Sequence, residues 1–259
     1  MASRLRSYVR TGTVLGVVLC ALAARQASAA GPPRFKAGAF DYFVIFDPNS
    51  IVPEIEAEFP GKGKEFVNLW RTRQFEYAWL RSMTNRYVDF FRVTEDALVY
   101  AANVLRLDLT PERKKSLLNA YLHLKPWPDA EASLRKLKDA GVRLITIANF
   151  SPAMLRSNAD AAHLTGLFDE LVSTDANHTY KPDPRAYELG MKHLNLKKDD
   201  IVFAAFGGWD AAGAKIFGYP TFWVNRFDLP AEELGVTPDG MSTTFAGLLT
   251  FVLGDGAEK

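Results

Sequence analysis

Beyond Pro126 the sequence alternates amphipathic stretches with short, continuously apolar ones, and this alternation limits the possible folds more than any other feature. Residues 129–140 read as a helix stopped by Gly141, and 142–148 (VRLITIA) as a strand. Residues 152–164 read as helical, 170–173 as a short strand, and 183–194 as helical again. A strand over 201–206 (IVFAAF), a helix over 211–217 and a last strand over 221–224 complete the series. Strands and helices alternating at this spacing predict an α/β fold with a parallel sheet and right-handed crossovers.

Upstream, residues 37–46 (AGAFDYFVIF) form an apolar run broken by a single acid, Asp41. Apolarity without alternation predicts a strand buried on both faces. Residues from about 50 to 126 have a helical period instead, with apolar side chains three and four apart in 69–83 and 95–107. Thr94 followed by Glu95 and Asp96, and Thr110-Pro111-Glu112, read as helix starts. The expected architecture is one α/β core, interrupted after its first strand by a helical insert.

The first residues read as a leader outside this fold. Arg4, Arg6 and Arg10 precede an apolar run over 14–24, and Ala27-Ser28-Ala29 supplies the small residues of a cleavage site. The run is too short for a permanent membrane span, so export to the periplasm or beyond is expected, with a retained anchor as the alternative. Removing residues 1–29 takes away four arginines and leaves 27 basic against 30 acidic side chains. Such a balance offers no charge footprint for nucleic acid or for an anionic membrane. The only cysteine, Cys20, leaves with the leader, so the mature chain has no thiol nucleophile, thiolate metal site or disulfide.

In open α/β sheets ligands bind beyond the carboxyl ends of the strands. Asp41 lies on the first strand, Asn149 follows the second, Lys181 follows the third, and Gly207-Gly208-Trp209-Asp210 follows the fourth. An acid, an amide, a lysine and a second acid are thus expected to meet in one crevice. A lone acid in a buried strand is costly unless paired, which favours a working role for Asp41. Bland readings stand beside the others. Asn149 and Asp210 sit where helix caps are wanted, Lys181 could solvate a loop, and Arg71 could lie on the outer face of a helix as Arg73 and Arg81 are expected to. His123, His163, His178 and His193 are scattered and read as surface or packing residues.

FPGKGKEFVNLWRTRQFEYAWLRSM (59–83), YKPDPRAYELG (180–190) and GWDAAGAKIFGYPTFWVNR (208–226), in that order, resemble the type II L-2-haloacid dehalogenases of the haloacid dehalogenase superfamily. The resemblance extends over about residues 36–242. It implies a Rossmann-like core over 34–48 and 127–255, with a helical cap over 49–126. It further implies that Asp41 is a nucleophile that displaces halide from C2 of a short 2-haloalkanoic acid and forms an ester on the enzyme. Arg71 would bind the substrate carboxylate or the departing halide, and Asn149 would donate to the halide. Lys181 would hold Asp41, while Asp210 would orient Lys181 and help activate the hydrolytic water. Phe43, Phe75, Phe90, Tyr187 and Trp209 match positions that line the substrate pocket. Relatives are often dimers through the insert, so a homodimer is among the expectations.

Several positions depart from the pattern of the family. Ile45 replaces a hydroxyl near the nucleophile, Ala148 replaces a serine, and Ala205 and Gly207 replace the serine and asparagine that assist the water. These changes leave the displacement step untouched and bear on ester hydrolysis. Phosphatases of the superfamily carry a second aspartate two residues after the nucleophile, where it helps seat Mg²⁺; here that residue is Phe43. An oxygen cage for Mg²⁺ needs more carboxylates than Asp41 and Asp210, so neither metal nor cofactor is expected. The competing readings are a Mg²⁺-dependent phosphatase, which Phe43 opposes, and a weakly active periplasmic binder of small acids.

Overall fold

The computed structural model describes residues 32–254. The leader read over 1–29 lies outside the described residues. Strand β1 (Ala37–Phe40) is followed by a single helical turn, α1 (Tyr42–Ile45), then by α2 (Val52–Glu58), α3 (Gly63–Met83), α4 (Phe90–Val104) and α5 (Pro111–Tyr121). The chain continues through α6 (Ala130–Asp139), β2 (Arg143–Thr146), α7 (Pro152–Ala161), α8 (Pro184–Leu194), β3 (Ile201–Ala205), α9 (Gly208–Phe217), β4 (Thr221–Val224), β5 (Gly240–Ser242) and α10 (Phe245–Leu253). All strand pairs are parallel, in the order β2-β1-β3-β4-β5.

The strand order explains where a ligand can bind. From β1 the chain crosses to β2 on one side, and its next sheet strand, β3, lies on the other side of β1. Reversal of direction opens a crevice at the carboxyl ends of β1 and β3. Helices cover both faces of the sheet. Tyr187 and Leu189 of α8 and Ala211 and Ala214 of α9 pack with Ala39, Ile145 and Phe203. Leu134 and Leu137 of α6 and Leu248 and Val252 of α10 pack with Phe40, Leu144, Val202 and Phe222 on the opposite face. Alternate residues of each strand therefore feed different cores, which is why the strands read as continuously apolar.

The insert helices are joined by a buried polar network as well as by apolar packing. The Trp70 indole N–H donates to the carbonyl of Thr94 at 2.8 Å. The Gln74 amide donates to the Thr94 hydroxyl at 2.9 Å and accepts from the Tyr121 hydroxyl at 3.0 Å. Buried polar groups that satisfy each other in this way fix the mutual placement of α3, α4 and α5.

Local structure departs from the sequence reading at four places. The expected strand over 37–46 ends at Phe40, because the Asp41 side chain accepts from the Phe43 amide and caps a helical turn. Helix α4 begins at an Asp89 cap, not at Thr94; the Thr94 hydroxyl instead donates to the Phe90 carbonyl one turn back. Residues 170–173 make only two isolated parallel bridges, Ile145 with Glu170 and Ala148 with Ser173. Strand β5 and helix α10 were not anticipated; β5 is a three-residue edge strand, and its neighbour α10 is apolar on nearly every side.

Candidate active site

Asp41 leaves the sheet at the end of β1 and is 9% exposed. Its backbone N–H donates to the Ala204 carbonyl on β3 at 2.9 Å, while its Oδ1 accepts from the Phe43 amide at 2.9 Å. The side chain is thus held by the first turn of α1, with Oδ2 left to meet a cation. That cation is Lys181, fully buried, whose Nζ lies 2.5 Å from Asp41 Oδ2 and 2.7 Å from Asp210 Oδ2. Two carboxylates from neighbouring strand ends therefore share one ammonium, which supplies the charge neutralisation that a metal supplies between paired acids.

Burial works against the Lys181 charge, yet Asp210 and Asp41 outweigh it and hold the ammonium above its ordinary range. Burial pushes the Asp210 carboxyl up to about 6; Lys181 pulls it down and Asp41 raises it. Asp210 lies in the first turn of α9, whose cap position is Gly207, so the capping reading of Asp210 does not hold.

The loop that carries Lys181 is fixed from two sides. The Asn149 Oδ1 accepts from the Lys181 backbone N–H at 2.9 Å, and the Trp79 indole of α3 donates to the Lys181 carbonyl at 3.2 Å. The cap of α7 is Ser151, not Asn149. Asn149 lines the cavity, and its amide nitrogen has no partner among the described residues.

Above the ionic group lies a cavity of about 460 Å³ lined by Asp41, Phe43, Arg71, Phe75, Phe90, Asn149 and Trp209, among others. Arg71 reaches it from α3 and makes neither a hydrogen bond nor an ion pair among the described residues; its Nε is buried without a partner. Arg73 and Arg81, by contrast, pair with Glu76 and Asp96 on the insert. Ile45 and Ala148 are buried, as is Ala205, so no hydroxyl stands at those positions.

Two expectations need correction or extension. Tyr187 does not line the cavity. It is fully buried behind Asp210, to which its hydroxyl donates at 2.7 Å (Oδ1), and burial holds its own pKa well above the ordinary value. The sequence reading also missed the far wall: Phe150, Phe206 and, from the segment after β4, Asn225, Arg226, Phe227, Leu229 and Glu232. Phe150 and Phe206 sit beside the strand-end residues that were singled out, so their position could have flagged them. Of the segment after β4, the motif over 208–226 reaches only Asn225 and Arg226, and nothing in the sequence marks Phe227, Leu229 or Glu232.

Residues 24–218 match the haloacid dehalogenase-like hydrolase family. An (S)-2-haloacid dehalogenase of Pseudomonas sp. (strain YL) is 43% identical over 212 residues, which is 82% of this chain and 91% of that one. A solved L-2-haloacid dehalogenase has 36% identity and a TM-score of 0.82, covering 84% of this chain and 98% of its own. The L-2-haloacid dehalogenase of Xanthobacter autotrophicus, solved with chloropropionic acid covalently bound, has 31% identity and a TM-score of 0.78, with 83% and 96% covered. Fold, insert and sequence agree: the chain belongs to the haloacid dehalogenase-like hydrolases, in the branch of the L-2-haloacid dehalogenases.

Proposed function

We propose that this chain hydrolyses short L-2-haloacids to 2-hydroxyacids and halide through an ester on Asp41. The observation that carries this reading is one buried ammonium held between Asp41 and Asp210, beneath a cavity that also receives a guanidinium unpaired among the described residues. A carboxylate oxygen of Asp41 bonds to C2 from the face opposite the halogen. The carbon–halogen bond breaks, and halide leaves with the bonding pair. Water then adds to the ester carbonyl carbon of Asp41, the bond from that carbon to the substrate oxygen breaks, and hydroxyacid leaves with release of one proton.

Each side chain has a place in this scheme. Arg71 takes the substrate carboxylate or the departing halide, for which a permanently charged group with several donors is suited. Asn149 offers its unpartnered amide nitrogen to the halide. Lys181 orients Asp41 through the contact with its Oδ2 and balances its charge. Asp210 acts through Lys181, because its Oδ2 is engaged by Lys181 and its Oδ1 by Tyr187. Phe43, Phe75, Phe90 and Trp209 make the cavity wall apolar, and a carboxylate less solvated there attacks better. Phe43 also occupies the position where a phosphatase would hold its acid for the leaving group, which disfavours the phosphatase reading.

Halide release from L- and D-2-chloropropionate, chloroacetate and fluoroacetate in the presence of chelator tests the proposal. Catalytic release from the L-acid by wild type, lost in Asp41→Asn, is expected. Release that stops at one equivalent per enzyme would mean a trapped ester, and would favour the weak-binder reading supported by Ile45, Ala148, Ala205 and Gly207. No halide, with Mg²⁺-dependent release of phosphate from a phosphomonoester, would overturn the proposal.

Two further expectations remain proposals. The basic start, apolar run and Ala27-Ser28-Ala29 support export and cleavage; cell fractionation and the N-terminal sequence of the mature protein test this. The exposed apolar side chains Leu80, Met83 and Val104 on α3 and α4 support a homodimer through the insert, tested by sedimentation; a monomer at micromolar concentration would overturn it.

A further inference from the structure

Two arginines line the cavity, and their charges are handled in opposite ways. Arg226 donates from both terminal nitrogens to Asp129, at 2.7 and 2.8 Å, so its charge is already committed. Arg71 has no carboxylate partner among the described residues. Burial works against its charge, which Tyr121, Asp47 and Asp41 favour only through space. What touches the Arg71 guanidinium is aromatic: its Cζ lies 5.5 Å from the ring centre of Phe43 and 5.7 Å from that of Phe206. These two rings are themselves in contact, with centres 5.6 Å apart and planes at 54°. Both separations from Cζ fall within the range in which a ring quadrupole attracts a cation.

Phe206 is itself well anchored. The Trp223 indole on β4 donates to its carbonyl at 2.8 Å, and the Phe227 ring meets it at 5.6 Å and 81°. It stands between the end of β3 and the Gly207 cap of α9, beside the site but outside its ionic group. A ring face stabilises a cation without using up any N–H donor, whereas a carboxylate partner would take those donors.

We propose that Phe206 is a positioning residue that, together with Phe43, holds Arg71 as a half-buried cation with its donors free for an anionic ligand. This rests on reading the cavity as a small-acid site, and it adds a residue that acts through Arg71, not on the substrate. It also gives a reason for an aromatic residue between Ala205 and Gly207 in FAAFGGWD.

The test uses the full chain and two readouts: binding of propionate, which carries no halogen and needs no turnover, and steady-state halide release from L-2-chloropropionate. Phe206→Leu keeps apolar bulk but removes the ring face; Phe206→Tyr keeps the ring. The leucine variant is expected to weaken propionate binding and raise KM by roughly three- to thirtyfold, with kcat changed less. The tyrosine variant is expected to restore both. Phe206→Met takes the place of the leucine variant should that one not fold. Unchanged propionate affinity in the leucine variant, failure of tyrosine to restore it, or no propionate binding by wild type would overturn the proposal. Absence of halide release with the binding pattern intact would sink the dehalogenase reading and leave the role of Phe206 standing.

Discussion

Lys181 Nζ lies 2.5 Å from Asp41 Oδ2, and this contact joins residues 140 positions apart in the sequence. The same ammonium is 2.7 Å from Asp210, so a residue on a loop governs the charge of two strand ends. Removing one partner from a buried ionic group leaves uncompensated charge, at a cost of about 3–5 kcal/mol. Lys181→Met is therefore expected to abolish halide release and to lower the unfolding free energy by about that amount. Adding Asp210→Asn should recover much of the stability but none of the activity, with urea unfolding and halide assays as the two readouts. Full stability in the single variant would contradict this.

Two shifts set the dependence on pH. The Asp210 carboxyl is raised from 3.8 to about 6, so protonation favours the folded state; this contribution is present below 3.8 and lost as pH rises through about 6. Lys181 is raised above its ordinary 10.5, so its contribution is complete below 10.5 and lost as pH rises through its still higher folded value. Since the working form has Asp210 ionised against Lys181, kcat/KM is expected to fall as pH drops through about 6 and to hold up to at least the ordinary lysine value.

The Tyr187 hydroxyl favours ionised Asp210. Tyr187→Phe is thus expected to move the acid limb of the pH profile upward, by up to about one pH unit for a lost hydrogen bond of ordinary strength. A profile that does not move would mean that Asp210 does not set that limb.

Asn149 serves the site with both ends of its amide, fixing the Lys181 backbone with Oδ1 and leaving its nitrogen at the cavity without a partner among the described residues. Asn149→Ala is expected to lower kcat by roughly a hundredfold, the usual cost of losing a donor aimed at developing negative charge. Product inhibition by chloride should weaken in parallel. An unchanged chloride inhibition constant would show that the amide nitrogen does not meet the halide.

Gln74 is buried between Thr94 and Tyr121 on the helix that carries Arg71. Gln74→Ala leaves the Tyr121 hydroxyl without its acceptor and opens a space in the insert. A loss of about 2–3 kcal/mol in unfolding free energy is expected, with a raised KM because α3 also positions Arg71. A KM equal to that of wild type would separate the packing of the insert from the anion site.

The parallel sheet, the helical insert and the meeting of Asp41, Asn149, Lys181 and Asp210 were legible because strand ends in such a sheet face one crevice. Phe43, Phe75, Phe90 and Trp209 were placed at the cavity by motif register, and the structure has them in its wall. Tyr187 came from the same resemblance, yet one turn of α8 carries its ring beneath Asp210, and helical phase against the sheet decides that orientation. Residues 42–45 show the same limit, since an apolar run has no feature that separates a buried strand from a buried helical turn.

The sequence by itself determined which chemical groups this protein has and on which strand ends they lie, because hydrophobic periodicity and loop position are local properties. Only the tertiary structure decided how those groups share charge: that Lys181 serves two carboxylates, that Asp210 is sealed off behind it, and that Arg71 rests on Phe43 and Phe206 with no counter-ion among the described residues. Desolvation and Coulomb attraction act through space over a few ångströms. Asp41 and Lys181, 140 positions apart along the chain, come under them only once the core has closed.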